Sequence, residues 1–121
     1  MTDPAAAGDW VDVGTAETLR EPPLRQIRVG TQRVALSFRD GVFGAISDRC
    51  NHVGGPLGAG RLEGDYVVCP WHAWKFHRCS GDDEPGYEAD HVSHYEVRER
   101  DGRVEVRASH STSEALLETA L

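Results

Sequence analysis

Residues 50–72 read CNHVGGPLGAGRLEGDYVVCPWH, which sets Cys50 and His52 one residue apart and Cys69 and His72 two residues apart. Sixteen residues, Val53 to Val68, separate the pairs, and the Gly, Pro and Asp among them favour turns. Each pair comes after a short apolar run, Cys50 after "AIS" and Cys69 after "YVV", so each is expected where a strand passes into a loop. Two such loops facing each other would present four ligands to one site. Two thiolates and two imidazoles suit tetrahedral zinc and also suit iron. The loops themselves add a physical hint. Gly54, Gly55, Gly58 and Gly60 let backbone N–H groups approach and bend around a bulky anion, while Pro56 and Pro70 lower the entropy lost in ordering the loops. A sulfide-bearing cluster needs such a cradle more than a single small cation does.

Around this stretch the chain reads as strands. Period-two alternation marks "WVDV" at 10–13, "RQIRV" at 25–29, "RVALSF" at 33–38 and "VFGAIS" at 42–47, with Asp40-Gly41 as a hairpin turn between the last two. "YVVCP" at 66–70, "AWKFHR" at 73–78, "SHYEVRE" at 93–99 and "RVEVR" at 103–107 continue the pattern, the last two joined by Asp101-Gly102. The expected class is all-β and antiparallel. Residues 14–23 have room for one helical turn before Pro22 and Pro23 stop it. In the tail, 111–121, Ser111 stands three residues before Glu114, a capping-box spacing that fits a short helix or a linker.

Composition narrows the function classes. A chain of 121 residues, 39% hydrophobic and 27% charged, fits one folded domain with no room for a separate catalytic domain. The formal charge of −7, with basic residues scattered along the sequence, argues against nucleic acid as a partner. No apolar run approaches a membrane span, and "MTDPAAAGDW" lacks the basic and apolar regions of a signal peptide, so a cytoplasmic monomer is expected. Three cysteines without a secretion signal point to metal ligation by two of them, rather than to a disulfide framework.

The arrangement C-x-H, sixteen residues, C-x-x-H, with "CNHVGGPL" as first loop and "CPWHAWKF" as second, closely resembles the Rieske iron–sulfur family. The resemblance implies a small antiparallel β-sandwich carrying a cluster-binding subdomain, about residues 48–86, within a domain of residues 1–110. It implies one [2Fe–2S] cluster, with Cys50 and Cys69 on one iron and His52 and His72 on the other, imidazole replacing thiolate and raising the potential. The function implied is one-electron transfer without substrate chemistry of its own, from a flavin reductase to an oxygenase or another redox enzyme. Two rival readings are a Rieske subunit or domain of a larger reductase and a zinc-stabilised β binding module.

Departures from the family pattern carry information too. Ala73 follows His72 where the family usually has Gly, and Gly55 and Trp71 occupy the positions of the disulfide that braces high-potential members. Those members place Ser and Tyr hydroxyls where this chain has Trp74 and Phe76, so a low potential is expected. Trp71 is expected to screen the site and Trp74 to join the core. Cys79 is expected on a strand face with Lys75 and His77, and His77, His91, His94 and His110 at the surface. The acidic run Asp82, Asp83, Glu84, Glu88 and Asp90 is a candidate docking patch for a basic partner.

Overall fold

The structure is a computed structural model that describes residues 10–49, 55–71, 74–82 and 91–108. Cys50, His52, His72, Ala73, His110, the run from Asp83 to Asp90 and the tail 111–121 lie outside the described residues. The order of elements is β1 (Val11–Thr15), α1 (Ala16–Leu19), β2 (Leu24–Val29), β3 (Gln32–Arg39), β4 (Val42–Ser47), a 3-10 turn (Leu57–Ala59), β5 (Arg61–Glu63), β6 (Tyr66–Val68), β7 (Lys75–His77), β8 (His94–Arg100) and β9 (Arg103–Ala108).

Tight turns set the hairpins. Asp40 and Gly41 take φ of 53° and 81°, and Asp101 and Gly102 take 53° and 78°. Positive φ at both central residues gives the turn whose twist matches the paired strands, and Asp-Gly is among the few pairs that adopt it without strain. Strands β1, β9, β8, β4, β3 and β2 form one antiparallel sheet in that order, and β5, β6 and β7 form a second, three-stranded sheet. In the large sheet β4 and β8 share only the pairs Ala45↔Tyr95 and Ile46↔His94. The sheet folds over at this seam, so that its halves face each other as a sandwich.

The sandwich interior is filled by Val29, Val34, Leu36 and Ala45 from one half and Tyr95, Val104 and Val106 from the other, with Ala16 and Leu19 of α1 closing one side. The other face of β3 and β4 is also covered. Leu24, Ala35 and Ile46 pack there with Leu57, Val67, Cys69, Phe76 and Val92. Burial on both faces explains why Val34 to Ser37 and Gly44 to Ile46 are buried without alternation. Each fully buried aliphatic side chain contributes roughly 1.5–3 kcal/mol relative to exposure. The two clusters therefore hold the layers together from either side of one sheet.

Several boundaries differ from those the sequence suggests. β6 stops at Val68 and β7 covers only Lys75–His77. The Cys69 amide still donates to the Trp74 carbonyl at 2.8 Å, the next position in the β6–β7 register, and past that rung the ladder gives way to the second loop. β5 and the 3-10 turn were not expected at all, being too short to show a period. Cys79 lies in a turn after β7, not on a strand face. The helical turn before the prolines is present, and the Thr15 hydroxyl accepts from the Thr18 amide at 3.3 Å to cap it.

Tyr95 is buried, and burial pushes its phenol above the ordinary value of 10.0. A raised pKa means that the stability associated with the neutral phenol is fully present below 10.0 and is lost as pH rises through the folded-state value. Tyr95→Phe should remove that component, so that urea midpoints fall less between pH 9 and pH 11 than in the wild type; an equal fall in both would refute this account.

Candidate metal centre

Of the four ligands expected from the sequence, the described residues include Cys69. It is 1% exposed and belongs to the apolar cluster under the large sheet. The strand before it, β6, lies between β5 and β7 with Val67 opposite Leu62 and Phe76, so its buried face anchors the start of the second loop. Across the top of this small sheet, Lys75 pairs with Glu63 at 3.0 Å, and Arg61 pairs with the same carboxylate. Lys75 first, and Arg61 after it, hold the Glu63 carboxyl below its ordinary value of 4.5.

The first loop comes against Cys69 through glycine. A methyl at Gly55 would stand 2.8 Å from the Cys69 Sγ and 3.2 Å from the Trp71 indole. A methyl at Gly60 would stand 1.9 Å from the Val68 carbonyl oxygen, so the backbone there tolerates no side chain. Backbone approaching a thiol this closely is the cradle that a sulfur cluster requires, and the residues present therefore fit a [2Fe–2S] group. Trp71 is 63% exposed with its indole beside Gly55, in the position where a disulfide would otherwise tie the loops. One side of the indole meets Gly55, and much of the side chain is open to solvent. Trp74 packs against the core cluster, as expected.

Asp48, two residues before Cys50, is 2% exposed and anchors the first loop at both ends. Its Oδ1 accepts from the Gly58 amide at 2.6 Å and its Oδ2 from the Gln26 side-chain amide at 2.7 Å. Its own amide donates to the Arg33 carbonyl at 3.0 Å, and its carbonyl accepts from the Leu57 amide at 2.7 Å. Arg78 does similar work for the second loop. Its guanidinium, from a residue 4% exposed, donates to the Ser37 hydroxyl at 3.2 Å, the Val42 carbonyl at 2.9 Å and the Arg39 carbonyl at 3.0 Å. Neither residue stood out in the sequence, where a lone charged side chain reads as surface.

The histidines outside the motif divide. His91 and His94 are exposed. His77 is half-buried instead of at the surface. Its Nδ1 accepts from the amides of Cys79 and Ser80 at 3.1 and 3.3 Å, so it caps the turn after β7. Cys79 is half-buried, and a methyl at Gly44 would stand 2.8 Å from its Sγ.

The family model for the Rieske [2Fe–2S] domain matches residues 9–105. The chain belongs to this family. Its cofactor is accordingly a [2Fe–2S] cluster, which sets the zinc alternative aside. Apoptosis-inducing factor 3 of Homo sapiens is 36% identical over 93 residues, 75% of this chain but 15% of that protein. Ferredoxin CarAc of Metapseudomonas resinovorans is 33% identical over 73 residues, 60% of this chain and 68% of the ferredoxin. A solved complex of reduced oxygenase and oxidized ferredoxin in carbazole 1,9a-dioxygenase contains a chain that superposes with a TM-score of 0.74 at 28% identity. That match covers 86% of this chain and 97% of the other. The β-sandwich expected from the sequence is thus the fold of this Rieske protein.

Replacing Asp48 by Ala leaves the Gly58 amide and the Gln26 side chain without their acceptor. We expect a loss of about 3 kcal/mol in chemical denaturation, most of it recovered in Asp48→Asn because the Gln26 amide can reverse to face the new donor. Equal losses in the two variants would show that charge, not hydrogen bonding, is what matters at this position.

Proposed function

We propose that the chain is a one-electron carrier whose cluster is held by Cys50 and Cys69 on one iron and by His52 and His72 on the other. The observation that carries this reading is the buried Cys69 thiol, fixed at the mouth of a closed loop against a first loop of glycine. When bound, the cluster supplies one-electron exchange at a potential set by its ligands and surroundings. The chain's own residues hold the ligands and keep the Cys69 side out of water. The electrons are taken from a flavin-dependent reductase and passed to an oxygenase or another redox enzyme. Support comes from the extent of the match to a ferredoxin and to a ferredoxin–oxygenase complex.

On this reading about residues 48–86 form the cluster-binding unit of a domain spanning 1–110, and no residue of the chain is catalytic. The carrier acts as a monomer in the cytoplasm; among the described residues no helix is long and apolar enough to cross a membrane. A second reading, a Rieske domain of a larger reductase, is favoured by the match to apoptosis-inducing factor 3, of which this chain spans 15%. Native size in a cell lysate separates the two, since a carrier runs at the size of a small single domain.

Purified without oxygen, the protein should be red-brown with about two irons and two sulfides per chain. His52→Ala and His72→Ala should each abolish the visible spectrum, whereas Cys79→Ser should leave it unchanged. Stoichiometric zinc without visible absorption would end the reading, and loss of colour in the Cys79 variant would reassign the ligands.

Trp74 and Phe76 stand where high-potential members carry hydroxyls, and Phe76 is fully buried in an apolar cluster. With neither hydroxyl to stabilise the added electron, the potential should lie near the low end of the Rieske range, about −150 mV. A value well above zero in protein-film voltammetry would show a hydrogen-bond donor to the sulfurs that this account lacks, and would reopen the choice of partner.

A further inference from the structure

The arginines look scattered in the sequence, but the register of β2 and β3 gathers two of them. Arg28 and Arg33 are directly opposed in the antiparallel ladder and so share one face of the sheet. Both are exposed, and neither side chain has an ion pair or hydrogen bond among the described residues. The opposed charges of β8 and β9 are arranged differently. Across β8 and β9, Arg98 faces Glu105 and Glu96 faces Arg107, each as a salt bridge. The other opposed arginines in these ladders, Arg100 and Arg103, are relieved by Asp12, which pairs with Arg103 at 2.9 Å. Like charges directly opposite each other in a sheet are unfavourable. At Arg28 and Arg33 that repulsion is kept without a counter-ion among the described residues.

These two side chains line an open groove of about 260 Å³ together with Gln26, Ile27 and Asp48. The Asp48 carboxylate forms no ion pair with either arginine among the described residues: its two oxygens are engaged by the Gln26 side chain and the Gly58 amide, and its single negative charge leaves the groove net positive. The groove lies on the flank of the first loop, since the Arg33 carbonyl accepts from Asp48, two residues before Cys50, and the exposed Arg49 follows. A chain with a net charge of −7 therefore presents a cationic patch where β3 meets the start of the first loop.

We propose that this face docks an acidic surface of a protein redox partner, with carboxylates of the partner entering between Arg28 and Arg33. The redox character of the partner rests on the carrier reading above; the acidic chemistry of its surface rests on the arginine pair alone. Encounter at such a face is accelerated by opposite charge and weakened by salt, with a Debye length of about 8 Å at physiological ionic strength. Arginines that merely guard the β2 edge against strand pairing would need charge of either sign, whereas docking needs positive charge.

The test titrates the holoprotein with octaglutamate at low salt and follows the amide signals of residues 26–34. We expect saturable shifts there, and roughly a tenfold loss of affinity in Arg33→Glu and in the neutral double variant Arg28→Gln/Arg33→Gln. Arg100→Glu makes the same change in net charge and relieves a like-charge pair at the other hairpin, and it should bind as the wild type does. Arg33→Glu should also melt no lower than the wild type, because it creates a cross-strand ion pair with Arg28. The proposal is overturned by absence of binding, by wild-type affinity in Arg33→Glu or in the double variant, or by equal shifts from inorganic phosphate at the same concentration, which would make the groove a small-anion site. A colourless, iron-free protein would instead remove the carrier reading and leave the octaglutamate result to stand by itself.

Discussion

A single buried carboxylate joins the first loop to the sheet that supports it. Asp48 takes hydrogen bonds from Gly58 on one loop and Gln26 on β2, so strand, turn and loop meet at one side chain. Burying a charge costs several kcal/mol unless its hydrogen bonds are made, and here both oxygens are satisfied. The requirement works in both directions. The carboxylate is tolerable only when Gly58 and Gln26 are in place, and the first loop is positioned only when the carboxylate is present. Arg78 imposes a matching condition from the second loop, reaching across to β3, Arg39 and Val42. The small sheet is thus fastened to the large one by polar groups at two places and by the apolar cluster around Phe76 and Leu57 in between.

Much of this was legible in the sequence because it is local. Asp-Gly turns declare hairpins, alternation declares the strands around them, and the spacing of Cys and His declares a paired-loop centre. Strand limits were harder at the open end of the small sheet, where β6 ends at Val68 and β7 begins at Lys75 although the Cys69 amide still meets the Trp74 carbonyl in the same register. β5 has three residues, too few to establish a period. Asp48 and Arg78 were invisible for another reason: their worth depends on partners far along the chain, Gln26 for one and Ser37 for the other. The opposed arginines needed the register of β2 against β3, which no count of charges along the sequence supplies.

Family and cofactor follow from the matched domain, and Cys69, the described one of the four proposed ligands, fits them. Cys69 is held as a ligand needs to be held, buried at the end of a strand whose neighbours fix its height. Trp71 marks where this chain departs from its high-potential relatives. An aromatic plane over Gly55 stands in place of a covalent bridge, so the loops meet through van der Waals contact at that point.

The narrow seam between β4 and β8 has an architectural consequence. At Ser47 the chain leaves the large sheet and it comes back at Ser93, and the Ser47 amide donates to the Ser93 carbonyl at 2.8 Å. Departure and return are therefore neighbours in space, and everything between them is an excursion that starts and finishes at one point of the sandwich. The excursion can change in length or content without moving either end, since closing a longer loop costs only about 0.6 kcal/mol per doubling. The sandwich behaves as a socket and the metal-bearing segment as the fitting it receives.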